Sequence, residues 1–313
     1  MGKQKGQIQH FVPQFIQREW TQDRHRAVGR PKSVDVVFRK ATGAFFIECL
    51  PTKVNFAGRD LWSLSQYVPE RRFIETGPFK TIDNSSSVVL KKMKREESLS
   101  ESDRIDLAYF VSSLYYRQPE NVKVIREMGE TALRSFDDDG ELTYLLAQQG
   151  LSKKPRDFAF LDGLYYSDYV MQGWLNNIRY HDLLNDILDS TFALLPVRPK
   201  YALPLSDRPL VTVTLPNHVK LRMIAISPHL LLTMHKPLDR KFDQSPLNIA
   251  KAASLYVQHC IENAVRGVVV KSTSDAWRML PLFRPKDLWG RDYGPRTDNP
   301  DGLYYSFCAV NTA

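Results

Sequence analysis

The chain has 313 residues, of which 43% are hydrophobic and 25% charged, with a formal net charge of +8. Such a length supports a substantial core, and such a composition excludes a disordered or collagen-like chain over most of its extent. The basic residues fall in short clusters (Lys3 and Lys5, Arg24 to Lys32, Lys91 to Arg95, Lys153 to Arg156) and not in a dense tail, so nucleic acid is one candidate partner and a merely basic surface is the alternative.

Three cysteines, Cys49, Cys260 and Cys308, are odd in number, far apart and without a CxxC pair. Neither a disulfide framework nor a zinc ribbon fits that spacing, so buried thiols in a reducing compartment are expected. Met1 to Gln7 has no apolar stretch of the signal-peptide kind, and the longest apolar runs, such as Val268 to Val270 and Leu230 to Leu232, are core-sized. A cytoplasmic protein without membrane segments is the expectation.

In chain order, Pro13 opens a helix through Trp20, with Phe15, Ile16 and Trp20 on its apolar side. Arg24 to Lys32, with Gly29 and Pro31, is a loop. Val34 to Arg39 and Ala44 to Leu50 then form a hairpin joined by Lys40 to Gly43, and Cys49 near its end suits a buried thiol. Residues 69–95 favour helix in pieces, interrupted at Gly77-Pro78 and again near Asn84 to Ser87. Ser100 to Asp103 has capping-box spacing and precedes Leu107, Phe110, Val111 and Leu114 at helical period, with Pro119 ending the helix. Helices follow over 120–136, 141–150 and 157–191, with a turn at Asp137 to Gly140 that lacks the ligands of a calcium loop. Strands are expected at Phe192 to Val197, Leu210 to Thr214, Lys220 to Ile226 and Leu230 to Met234, then a helix over 246–267 and a loop-like tail after Pro281.

That order points to an α+β fold, mainly helical with a small, mostly antiparallel sheet. A single domain over 1–313 is expected. Its helical middle, 69–191, is flanked by the hairpin at 34–50 and the strands at 192–234.

The segment His10-Phe11-Val12-Pro13-Gln14-Phe15-Ile16-Gln17-Arg18 resembles the opening of a bacterial family, domain of unknown function 4238, whose members begin His-His-Tyr-Val-Pro-x-Phe. Gln9 stands where the family has its first histidine. The hairpin, the helix ending Arg117-Gln118-Pro119, the turn Ser206-Asp207-Arg208-Pro209 and the strand approach Ile226-Ser227-Pro228 are similar to later family segments in the same order. The resemblance implies no particular activity.

Among candidate site residues, His10 can act as acid, base or ligand near neutral pH, or simply tie the N-terminal segment to the body. Arg117 continues the seam of Phe110 and Leu114 and therefore points inward, which requires a carboxylate or phosphate partner. It is either a phosphate clamp or half of a buried ion pair. Asp207 is a general base, a metal ligand, the partner of Arg117, or a turn residue bonded to local backbone. Glu75, a second acid, resembles an acidic position in the family's long helix, with a solvated helix face as the alternative. Arg18 and Ser206 join them as substrate-binding candidates. His229 and His235, six apart, reach one strand face but lack a third ligand. The chain has no P-loop, GxGxxG or GxSxG, and the helix-before-hairpin order argues against an HNH nuclease.

Two functional expectations follow. One is a hydrolase of nuclease type, with His10 as acid/base, Arg117 as phosphate clamp, and Asp207 and Glu75 as base or as ligands of a divalent metal. The other is a non-enzymatic binding protein, in a bacterial defence or mobile-element setting, with the same residues as an internal polar network.

Overall fold

The polar run ahead of Pro13 is a strand. β1 (Ile8–His10) leads through Pro13 into one helical turn, α1 (Gln14–Gln17), which tightens to a 3-10 turn at Arg18–Trp20. Pro13 stands at the cap, where its missing N–H costs nothing. The structure is a computed structural model and describes residues 8–21, 32–39, 45–59, 61, 74–124, 127, 140, 144, 147–148, 182–197, 202–214, 220–236 and 246–279. The chain divides into two units: Met1–Asp60 with Met93–Glu96 and Asp189–Ala313, and Leu61–Lys92 with Glu97–Leu188.

The first unit holds every described sheet. β2 (Ser33–Arg39) and β3 (Phe45–Pro51) form the hairpin that the β-branched and aromatic runs dictate, and β4 (Ala57–Arg59) turns back to pair with β1. Two strands from far along the chain complete the hairpin's sheet. β10 (Val268–Val270) lies beside β2 and β6 (Leu205–Ser206) beside β10, in the order β3-β2-β10-β6. The register sets Val36, Val269 and Leu205 side by side, all buried.

A second four-stranded sheet contains β5 (Thr191–Pro196), β7 (Val211–Thr214), β8 (Lys220–Ser227) and β9 (Leu230–His235), in the order β5-β9-β8-β7. Its central strands are buried on both faces, from Leu221 to Ile226 and from Leu231 to Met234, which explains their near-continuous hydrophobic sequence. A bulge at Ala225/Ser227 resets the register before the β8–β9 turn. Every described pairing is antiparallel.

The first unit's helix α5 (Pro246–Asn263) turns Ala252, Ala253, Tyr256, Val257, Cys260 and Ile261 inward at helical spacing. A short α6 (Thr273–Met279) follows β10, its start capped by Ser272, whose Oγ accepts from Asp275 N at 3.1 Å.

α2 (Lys80–Lys94), which belongs to the second unit up to Lys92, follows a π-helical turn at Glu75–Phe79 that contains Pro78. α3 (Glu101–Tyr116) starts with the expected capping box, Ser100 Oγ receiving Asp103 N and Asp103 Oδ2 receiving Ser100 N. Leu107, Phe110, Val111 and Leu114 are all buried, and α4 (Asp182–Leu188), with Leu184 and Ile187 turned inward, packs against α3.

Several expectations need correction. The mainly helical fold with one small sheet is replaced by an α+β fold in which ten described strands form three sheets. β1, β4, β6 and β10 have two or three residues each, too few for alternation to register in a sequence. Asn84 to Ser87 does not break α2, because the hydroxyls of Ser85, Ser86 and Ser87 bond back to the carbonyls of Ile82 and Asn84 one turn earlier. Gly77-Pro78 produces the π-turn and not a break, with Thr81 Oγ1 donating to the Gly77 carbonyl at 3.0 Å. A helical stretch begins at Pro119, so this proline opens a helix as well as following one. Cys49 is exposed, since it sits on the outer strand of its sheet. The last long helix stops at Asn263, short of 267. Most of the helices expected over 120–136, 141–150 and 157–191, the loop at 24–32 up to Pro31, most of the turn at Asp137 to Gly140, the tail after Pro281 and Cys308 lie outside the described residues.

Two predictions follow from these elements. Lys92, reaching Asp103 at 2.8 Å, together with the N–H and hydroxyl of Ser100, holds the Asp103 carboxyl down to about 2. The folded value is below the unfolded one near ~3.9, so this stabilisation is complete above about pH 5 and is lost as pH falls towards about 2. Asp103→Asn is expected to lower the denaturant midpoint at neutral pH, with the gap to wild type closing through that acid range. A gap of constant size from neutral to acid pH would refute this. Separately, burial pushes the Cys260 thiol up to about 12. In a Cys49→Ser/Cys308→Ser variant, a thiol reagent should label Cys260 only after unfolding.

Candidate functional site

The N-terminal motif is locked by its own side chains. Gln17, fully buried, donates Nε2 to the Val12 carbonyl at 2.7 Å and to the Asn55 carbonyl at 3.2 Å, while Asn55 Nδ2 returns a bond to Gln17 Oε1 at 3.0 Å. Phe11 N and Val12 N both donate to the Phe56 carbonyl, and Phe56 takes a positive φ of 47° to offer it. Trp20, fully buried, donates Nε1 to the Leu203 carbonyl at 2.7 Å, across 183 residues of sequence. His10 is half-buried in β1, opposite Ala57.

Asp207 lies just past β6 and is 3% exposed. Its carboxylate accepts Val265 N at 3.2 Å and Arg266 N at 2.6 Å, while its own N–H donates to the Gly267 carbonyl at 3.3 Å. Ser206 Oγ donates to Asp207 Oδ1 at 3.1 Å and accepts Arg208 N at 3.1 Å. The Arg266 side chain then crosses to the N-terminal motif, its guanidinium 4.7 Å above the Phe11 ring and Nη1 donating to the Ala57 carbonyl at 3.4 Å. His10 and Asp207 are thus linked through Arg266 and the strand pair β1–β4, without a contact between the two side chains being needed. Arg18, in the same unit, is exposed and donates Nη2 to Gln14 Oε1 at 3.2 Å.

In the second unit Arg117 caps the C-terminus of α3 and is 1% exposed. Its inward direction is the one that the helical seam dictates. The carboxylate that meets it is Asp83, with Nη1 at 2.8 Å from Oδ1 and 3.0 Å from Oδ2. Nη2 donates to the Phe79 carbonyl at 3.4 Å, and the guanidinium lies 4.1 Å over the Phe79 ring. Asp83 keeps 28% of its side chain exposed, yet the protein around it still pushes its carboxyl above the usual carboxylate range, with Arg117 pulling the other way. Glu75 opens the π-turn that ends at Phe79 and is half-buried.

The six candidate residues are therefore divided. His10, Arg18, Ser206 and Asp207 belong to the first unit, Glu75 and Arg117 to the second. Asp207 as partner of Arg117 is replaced by Asp83, which sequence reasoning missed. Reading α2 as continuous would have found it, because Asp83 then falls one turn after Phe79. His229 is exposed in the β8–β9 turn and His235 is buried at the end of β9, so the two do not share a strand face. Among the described residues no group of three His, Cys, Asp or Glu side chains gathers as a metal site, and no helix is long and apolar enough to cross a membrane.

Breaking a buried ion pair leaves an uncompensated charge, so Arg117→Ala should cost about 3–5 kcal/mol in a denaturant melt. Asp207→Ala leaves the N–H groups of Val265 and Arg266 without their acceptor and should cost about 2–3 kcal/mol by the same measurement. Losses below about 1 kcal/mol for both variants would show that neither network holds the fold.

Set against known proteins, residues 8–275 match the family model described as Protein of unknown function (DUF4238). No curated protein and no solved structure matches the chain.

Proposed function

We propose that this chain, which belongs to the family described as Protein of unknown function (DUF4238), is a cytoplasmic, non-catalytic protein that binds nucleic acid. His10, Arg117 and Asp207 build its fold and carry no reaction. The observation behind this reading is the commitment of the two charges on which hydrolysis would depend. A general base needs a lone pair turned towards substrate. Asp207 instead gives both oxygens to backbone N–H groups at 3% exposure. A phosphate clamp needs a pair of outward donors. Arg117 instead meets both oxygens of Asp83 at 1% exposure. What remains for function is the surface, and a net charge of +8 favours a polyanion there through counterion release.

The competing reading is a nuclease with Asp207 and Glu75 as base or metal ligands, and one experiment separates the two. Wild type, His10→Ala and Asp207→Asn are incubated with tRNA, single-stranded RNA and duplex DNA, with and without magnesium, alongside binding measured over a range of salt. Salt-sensitive binding without protein-dependent cleavage is the expected result. Cleavage by wild type that His10→Ala abolishes while keeping the wild-type melting curve would overturn the proposal in favour of the nuclease.

A further inference from the structure

We propose that single-stranded nucleic acid binds at one end of the β3-β2-β10-β6 sheet, with its phosphates on Lys32, Lys53 and Lys271 and a base stacked on Trp277. This rests on the nucleic-acid-binding reading and places it on the surface.

The strand registers bring these residues to the same end. Ser33 pairs with Pro51 and Asp35 with Val270, so the start of β2, the end of β3 and the end of β10 coincide. Lys32 immediately precedes β2, and its carbonyl accepts Thr52 N at 2.8 Å, next to Lys53. Lys32 and Lys53 are both exposed. Lys271 immediately follows β10 and donates Nζ to the Thr21 carbonyl at 3.0 Å, at the end of the 3-10 turn that carries the exposed Arg18. The turn holding Lys53 is fixed to that same region through Asn55 and Gln17.

Among the described residues, the acids at this end are Asp35, Asp275 and Glu19, and each has a hydrogen-bond or ion-pair partner. Asp35 is buried and accepts Thr273 Oγ1 at 3.0 Å, and Asp275 is occupied in capping α6 with Ser272. Glu19 is paired with Lys94 at 2.8 Å. Asp35 and Asp275 keep their charge in these hydroxyl bonds, but among the described residues Lys32, Lys53, Lys271 and Arg18 outnumber them four to two, with Glu19 and Lys94 cancelling, so the local charge is positive.

Helix α6 leaves from this end of the sheet. Thr273 ties its first turn to Asp35, and Trp277 lies one turn on, about 6 Å along the axis. Ala276 and Met279 are buried beneath the helix, whereas Trp277 is 65% exposed. An exposed indole on the helix that leaves the lysine-bearing end of the sheet suits an unpaired base, which has a free face to stack on it, better than an intact duplex, whose bases are already stacked.

The test is fluorescence anisotropy of a labelled oligothymidylate across a salt series, with the full chain as wild type, Trp277→Ala and the double variant Lys32→Ala/Lys53→Ala. All three side chains are exposed, and melting curves check that the variants fold. Trp277→Ala should weaken binding about 5- to 100-fold with the salt slope unchanged. The double variant should flatten the log–log slope by about 1.4. If wild type binds the oligonucleotide and both variants bind it equally well, this surface is wrong while the binding reading stands. A duplex bound as tightly as the single strand, or phosphatidylserine vesicles bound in its place, also overturns the surface. If wild type binds neither single strand nor duplex, both proposals fall.

Discussion

The carboxylate of Asp207 holds together the part of the chain that has the least local reason to assemble. It fixes the backbone of Val265 and Arg266 as the chain passes from α5 to β10, and its own N–H bonds Gly267 on the same stretch. β10 can then lie between β2 and β6, strands from opposite ends of the first unit. The same grip aims Arg266 at Phe11 and the Ala57 carbonyl. A charged acceptor against backbone donors is stronger than a neutral one, and burial raises the cost of leaving those donors unmet. Three short strands and the N-terminal motif therefore depend on one side chain.

The second unit solves a different problem, that of a polar helix. α2 carries Asn84, Ser85, Ser86 and Ser87 in succession, residues that compete with helical hydrogen bonding. Back-bonding by the serine hydroxyls removes that competition, and ion pairs near both ends, Asp83 with Arg117 and Lys92 with Asp103, connect α2 to α3. Arg117 also covers the ring and carbonyl of Phe79, where the π-turn passes into α2. Arg117, from the end of α3, thus holds both the side chain of Asp83 on α2 and the turn that leads into it.

The legible parts were those whose cause is local. Alternating β-branched and aromatic residues specify the β2–β3 hairpin, and Ser100 with Asp103 specifies the start of α3. The inward direction of Arg117 follows from helical spacing alone. β1, β4, β6 and β10 were not legible, because strands of two or three residues are made by partners far away in sequence. The identity of Arg117's partner was hidden by the serine run, which reads as a break until the hydroxyls are seen to turn inward. Asp207 was legible as a backbone-bonding residue, but its acceptors' partners lie 58 and 59 residues further on, beyond any turn rule.

The layout of the two units bears on how the chain folds during synthesis. Leu61–Lys92 and Glu97–Leu188 lie between the two main stretches of the first unit. The second unit is therefore made in full before β5 to β10 exist. β2 and β3 can pair early, but β2 has no β10 beside it until residue 270 has left the ribosome, and Trp20 must wait for Leu203. For that interval an apolar strand and a large indole lack their final cover, and closing so long a loop is slow. The order of synthesis produces the His10–Trp20 motif before the whole of the second unit and lets it be sealed only after that unit is complete.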